Sequence, residues 1–225
     1  DFASTRLGRL AGPEMILLQL AGGISSGQVA VMKPHEVSDS LWALSELGLR
    51  PPWLTERLSH AARRLAPAMG PQEASSTALA LAKLGCSDGR LFAALVSAAG
   101  DRVDQLSPQG VCNLCWAVAV ADQRQLSGAA AALVKQLARQ RWDATGVEEH
   151  CQLHQVHLWL LDHERGGIGL ACALFAAQLR QCSQAWQQQL EGASWQRRSG
   201  WEQHVFDFAK RLPGLAGCRQ DERTD

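Results

Sequence analysis

Apolar positions recur along the chain with a helical rhythm, and the rhythm itself repeats. Val37, Leu41, Leu44 and Leu47 keep the spacing that places side chains on one face of an α-helix. Pro34, Pro71 and Pro108 stand 37 residues apart, and each opens a related segment. At that offset Val37 corresponds to Ala74 and Val111, Trp42 to Leu79 and Trp116, Ala43 to Ala80 and Ala117, and Leu44 to Leu81 and Val118. Leu47-Gly48 corresponds to Leu84-Gly85, while the third copy carries Ala121-Asp122. Each segment is predicted to be a helix. Proline suits the first helical position, where its missing N–H would have no partner anyway. Gly70 and Ser107 are good caps, Glu36 and Glu73 suit the positive end of the helix dipole, and Gly48 and Gly85 fit a left-handed C-cap.

A second helix is predicted in every copy. Pro51-Pro52 opens the first, with Trp53, Leu54, Leu58, Ala61, Ala62 and Leu65 along its apolar face. Leu91, Leu95 and Val96 serve in the second copy, and Ala130, Leu133 and Leu137 in the third. The unit is therefore a helical hairpin of 37 residues. A single hairpin cannot bury its apolar face alone; stacked neighbours can. The expected fold is all-α, a right-handed α-solenoid with units 34–70, 71–107 and 108–142. A partial unit spans 1–33, where Leu7, Leu10 and Leu17 fall one period before Leu44, Leu47 and Leu54. The chain is thus expected to be a fragment that begins inside a first helix. After about residue 143 the period is expected to fail. Residues 143–213 read as a non-repeat helical cap, with helices Glu148–Asp162, Ile168–Leu190 and Trp201–Arg211, and 214–225 read as a disordered tail.

Composition agrees with this picture and narrows the chemistry. Hydrophobic residues make up 46% and charged residues 20%, enough for a core. Lys plus Arg and Asp plus Glu both number 22, which excludes a strongly basic footprint over the whole chain. No apolar run approaches the roughly 20 residues of a membrane helix, so no membrane partner is expected. The seven cysteines, at 86, 112, 115, 151, 172, 182 and 218, are spread through helix-like sequence. That argues for reduced thiols in an intracellular setting rather than a disulfide scaffold.

Cys112-x-x-Cys115 is half of a zinc motif, and His150, His154 and His157 share one helix face near Cys151. Cys115, however, aligns with Leu41, a buried position of the repeat, so packing thiols are expected, with no metal and no cofactor. No phosphate-binding glycine loop, Gly-x-Ser-x-Gly or His-Glu-x-x-His occurs, and Glu148-Glu149 reads as a helix-start charge pair. No catalytic residue is assigned and no enzyme is expected. Trp42, Trp53, Trp116 and Trp159 fall at core-like helical positions and are expected to pack rather than to stack on bases.

Three features resemble the octotricopeptide-repeat proteins of organelles and their FAST-kinase-like, RAP-associated animal relatives. The first is Pro-x-Glu-x-x-x-x-Leu-Trp-Ala-Leu-x-x-Leu-Gly, met in full by Pro34–Gly48. The second is Pro51-Pro52-Trp53 at the start of a second helix. The third is the run Gln152–Trp159, followed by Cys182, Trp186 and Trp201–Val205, similar to the region that precedes a RAP domain. Copies two and three depart from the first motif: Leu79 replaces Trp, and neither carries Pro-Pro-Trp. The resemblance implies a mitochondrial or plastid protein without its RAP domain, whose partner is RNA, either organellar transcripts or rRNA. Its implied roles are RNA processing, stability or translation. An alternative is a protein-interaction scaffold, for example an organellar ribosome-associated subunit. Helical repeats read RNA with side chains at fixed positions of one helix face. The exposed variable positions expected here are Ser38, Ser75 and Cys112, then Asp39, Ser76 and Asn113, with Lys83 available to phosphate.

Overall fold

The computed structural model describes residues 26–163 and 167–192. Among these, every regular element is helical and no strand occurs. Nine α-helices follow in order: α1 Ser26–Val31, α2 Pro34–Glu46, α3 Pro52–Leu65, α4 Pro71–Lys83, α5 Gly89–Gly100, α6 Pro108–Val120, α7 Ser127–Gln140, α8 Val147–His163 and α9 Ala176–Gly192. The expected partial unit upstream of residue 26, the helix Trp201–Arg211, the tail 214–225 and Cys218 lie outside the described residues.

α2 packs on α3, α4 on α5 and α6 on α7, as the periodicity predicts, and beyond the predicted period α8 packs on α9. The first helices also pack on one another: α2 against α4, α4 against α6 and α6 against α8. Val37, Leu41, Leu81, Val111 and Leu114 of the first helices are fully buried, as are Leu58, Leu91 and Leu95 of the second. Each such leucine contributes about 1.5–3 kcal/mol relative to exposure.

Local chemistry repeats with the same register. The backbone N–H of Lys33 donates to Glu36 Oε2 and that of Gly70 to Glu73 Oε2, both at 2.7 Å. Before α6 a shorter device serves, with Ser107 Oγ accepting from Gly110 N at 3.0 Å. At the other end Gly48 and Gly85 take left-handed φ of 64° and 78°, and Asp122 does the same at 49°. Behind each, the following N–H reaches back to a carbonyl of the first helix: Leu49 to Leu44, Cys86 to Leu81 and Gln123 to Val118. This is the Schellman closure, completed in the third copy without glycine. Short 3-10 turns then follow the second helices at Ala66–Ala68, Val103–Gln105 and Trp142–Ala144.

α8 repeats the entry device two residues late. Gly146 N donates to Glu149 Oε2 at 2.8 Å, as Gly70 does to Glu73. Side chains of α6 and α8 meet at a spacing of 39: Gln152 donates to Asn113 and Trp116 to Gln155. The expected continuous helix Ile168–Leu190 is instead a 3-10 turn, Gly169–Cys172, followed by α9 from Ala176. Gly169 has φ of 52°, outside the right-handed helical region, so the helix cannot run through it. Gln178 Oε1 accepts from Phe175 N at 2.9 Å and caps the new start.

Candidate nucleic-acid interface

The site residues assigned from sequence divide into two columns. Ser38, Ser75 and Cys112 are buried, contrary to their assignment as exposed positions. Ser38 Oγ donates to the Glu73 carbonyl of α4 at 3.3 Å, and Ser75 Oγ to the Gln72 carbonyl of its own helix at 3.0 Å. With Cys151 of α8, also buried, they form a column of small side chains at the contacts between first helices. A residue one step past the apolar stripe falls into the inter-helix seam, and that is why these three cannot meet a ligand.

The second column is Asp39, exposed, Ser76, half-buried, and Asn113, which is buried, contrary to its assignment as an exposed position. Gln152 of α8 extends it, with Nε2 donating to Asn113 Oδ1 at 2.9 Å. One helical turn further on lie Trp42, Leu79, Trp116 and Gln155, and beyond them Glu46 and Lys83. Lys83 Nζ bonds Glu46 Oε1 at 2.7 Å, one repeat away. The face formed by the first helices is therefore polar along the first row, carries one exposed ring, Trp42, in the next, and ends in an ion pair.

Trp42 is 51% exposed and Trp53 37% exposed, which corrects the expectation that both pack in the core. Trp42 follows Leu41 by one residue, about 100° round the helix from the buried stripe. Trp116 holds the same repeat position but is buried, its indole N–H donating to Gln155 Oε1 at 3.0 Å. Trp159 is buried too and donates to Asp122 Oδ1 at 2.9 Å. The Arg57 guanidinium lies 5.7 Å from the Trp53 ring centre.

Gln152 and Gln155 were missed as extensions of the row by reading at a strict offset of 37. The signal for the glutamines is Gly146-x-x-Glu149, which matches Gly70-x-x-Glu73 once two inserted residues are allowed.

The cysteine and histidine groups have structural partners. Cys112 and Cys115 are both fully buried. Burial lifts the Cys112 thiol well above its ordinary range, with Cys115 adding to the effect, and burial pushes Cys115 up to about 12. A thiol held so firmly protonated is a poor metal ligand. Among the described residues, no group of three or more His, Cys, Asp or Glu converges as a metal site. His150 stacks on Trp142 with ring centres 5.0 Å apart and meets Thr145 Oγ1 at 2.9 Å. His157 Nδ1 accepts from Leu170 N at 2.9 Å, and His154 lies 6.1 Å from the Trp186 ring. Burial lowers all three imidazoles, taking His154 to about 4.

No family model matches the chain, and no curated protein matches it. No helix among the described residues is long and apolar enough to cross a membrane.

Proposed function

We propose that the chain is a non-catalytic RNA-binding helical-repeat protein, with its hairpins forming a right-handed α-solenoid of octotricopeptide-repeat type. It acts in processing, stability or translation of organellar transcripts. The observation that carries this reading is the row Asp39, Ser76, Asn113 and Gln152: four polar side chains, one per first helix, at spacings of 37, 37 and 39. Such a row offers one variable donor–acceptor set per repeat, the arrangement by which helical repeats read single-stranded bases. The half-exposed Trp42 beside Asp39 adds a stacking surface.

Equilibrium binding of the full chain to single-stranded RNA over a series of salt concentrations tests the proposal. Asn113→Ala and Gln152→Ala are expected to weaken binding while leaving the melting temperature within a few degrees. Absence of salt-sensitive binding by the wild-type chain contradicts it.

One observation favours a second reading, the protein-interaction scaffold. Lys83 is held by Glu46, and Asp39 and Glu46 make the α2 part of the face acidic. A phosphate backbone meets little positive charge there, whereas a basic or apolar protein segment meets a complementary surface.

A further inference from the structure

Two imidazoles of α8 meet the chain that folds back on that helix. His154 faces Trp186 of α9, with ring centres 6.1 Å apart. His157 meets the 3-10 turn Gly169–Cys172: its Nδ1 accepts the Leu170 N–H at 2.9 Å. A backbone N–H can only donate, so Nδ1 carries no proton there and the ring is neutral. The turn is shaped to this contact. Gly169 has φ of 52°, and a Cβ on it would run into the His157 ring and stand 2.9 Å from the His157 carbonyl oxygen. Glycine alone brings the backbone so close at that angle. Behind the bond Leu170 is fully buried, and Leu174 is buried too.

The groups around His157 do not favour a proton on it. The elements packed on α8 are α6, the turn and α9, and α7 packs on the turn. Among the described side chains, the titratable groups of α6 are Cys112 and Cys115, that of the turn is Cys172, those of α9 are Arg180 and Cys182, and those of α7 are the cations Lys135 and Arg139. On α8 itself the His154 ring lies 6.4 Å away, so a proton on either imidazole repels one on the other. His150 is engaged with Trp142 and Thr145. The carboxylates stand elsewhere. Glu148 and Glu149 precede His157 by more than two turns, Asp162 lies about 140° away around the helix, and Asp122 meets α8 at Trp159. Burial holds the His157 imidazole below its ordinary range, with no counter-charge to raise it.

We propose that His157 is a proton-operated latch: neutral, it fastens the Gly169–Cys172 turn to α8; protonated, it lets the turn go. A proton on Nδ1 turns the acceptor into a donor that faces the Leu170 N–H. Two donors then oppose each other, and a buried amide is left without a partner. The latched form binds the proton less readily than the open one, so latching is complete at neutral pH and weakens as the pH falls below the ordinary imidazole range. The release is local. α9 keeps its hold on α7 and the turn after it, because Gln178 Nε2 donates to the Ala138 carbonyl at 3.1 Å and Trp142 Nε1 to Gln181 Oε1 at 2.8 Å. Neither bond contains a group that titrates in this range, so the link between α8 and α9 loosens while the stack of hairpins stays closed.

The test is amide hydrogen exchange of the full chain at about pH 7.5 and about pH 5, corrected for the intrinsic effect of pH on exchange. It compares the wild type with His157→Asn and His154→Asn. Asparagine sets a carboxamide oxygen near the place of Nδ1 and does not titrate. Exchange over residues 168–174 is expected to rise about fivefold or more at the lower pH in the wild type and in His154→Asn, and less than about twofold in His157→Asn. Nitrogen NMR of the wild-type chain with labelled histidine needs no variant. His157 Nδ1 is expected to gain its proton over the same pH interval in which the Leu170 amide loses protection. An equal response in wild type and His157→Asn, a response abolished by His154→Asn, protection lost evenly over α4, α6 and the turn, or a His157 that stays neutral while the turn opens overturns the proposal.

Discussion

Asp122 joins two features of the fold, so its replacements separate them. It holds the left-handed position that glycine fills at Gly48 and Gly85, and its carboxylate accepts the indole N–H of the buried Trp159 at 2.9 Å. Left-handed backbone costs a residue with a Cβ roughly 1 kcal/mol relative to glycine. A hydrogen bond to a charged acceptor contributes about 1.5–3 kcal/mol. The ion pair to Arg124 at 3.0 Å is half exposed and adds little. Asp122→Gly therefore relieves the backbone and loses the bond, a net loss of about 1 kcal/mol. Asp122→Ala loses the bond without relief, a loss of about 2–3 kcal/mol. Asp122→Asn keeps an acceptor and tolerates the left-handed region, so it stays within about 1 kcal/mol of wild type. Urea denaturation of the four proteins gives the order wild type, Asn, Gly, Ala. If Ala and Gly unfold at the same urea concentration, the conformational part of the reasoning is wrong; if Asn is as damaging as Ala, the Trp159 bond is not what matters.

Three further outcomes follow from the same structure. His154 titrates near 4 in the folded chain and near 6.5 when unfolded, so between those values the unfolded chain takes up protons that the fold refuses. Stability should be complete above pH 6.5 and drop as the pH falls towards 4, and urea melts across that window should show a shallower drop in His154→Gln. Gly110→Ala places a Cβ 2.7 Å from Leu106 Cδ1, so it should lose about 1–3 kcal/mol despite alanine's helix preference. Gly128→Ala meets nothing within 4 Å and should not destabilise, and thermal melts of the pair compare the two. Thiol labelling of the native chain should modify exposed Cys172 first and leave buried Cys112 and Cys115 intact until denaturant is added, as peptide mass mapping will show. Early labelling of Cys115 would mean that the seam between α6 and α7 opens.

The paired helices were legible because burial and helical period are the same fact seen twice: Leu41, Leu44, Leu81 and Leu114 had to face something apolar. The caps were legible for the same local reason, with Pro, Glu and Gly marking starts and stops. What sequence spacing could not resolve was which flank of each first helix faces its neighbour. Ser38 and Asp39 differ by one residue, yet one lies in the seam and the other in water, a choice set by how α4 crosses α2. Trp42 and Trp116 share a repeat position and differ in exposure, which the offset of 37 does not encode: Trp116 is buried with its indole N–H on Gln155, while Trp42 stands half exposed. The two-residue insertion before α8 hid Gln152 from a comparison made at constant offset.

The most direct test of the reading face is selection of a random single-stranded RNA pool by the wild-type chain and by Asn113→Ser, which gives the third repeat the side chain that Ser76 gives the second. A row that reads one base per repeat predicts that the preferred base changes at a single position of the selected sequence and nowhere else. Selection of the same sequence by both proteins, or of no sequence by either, contradicts it.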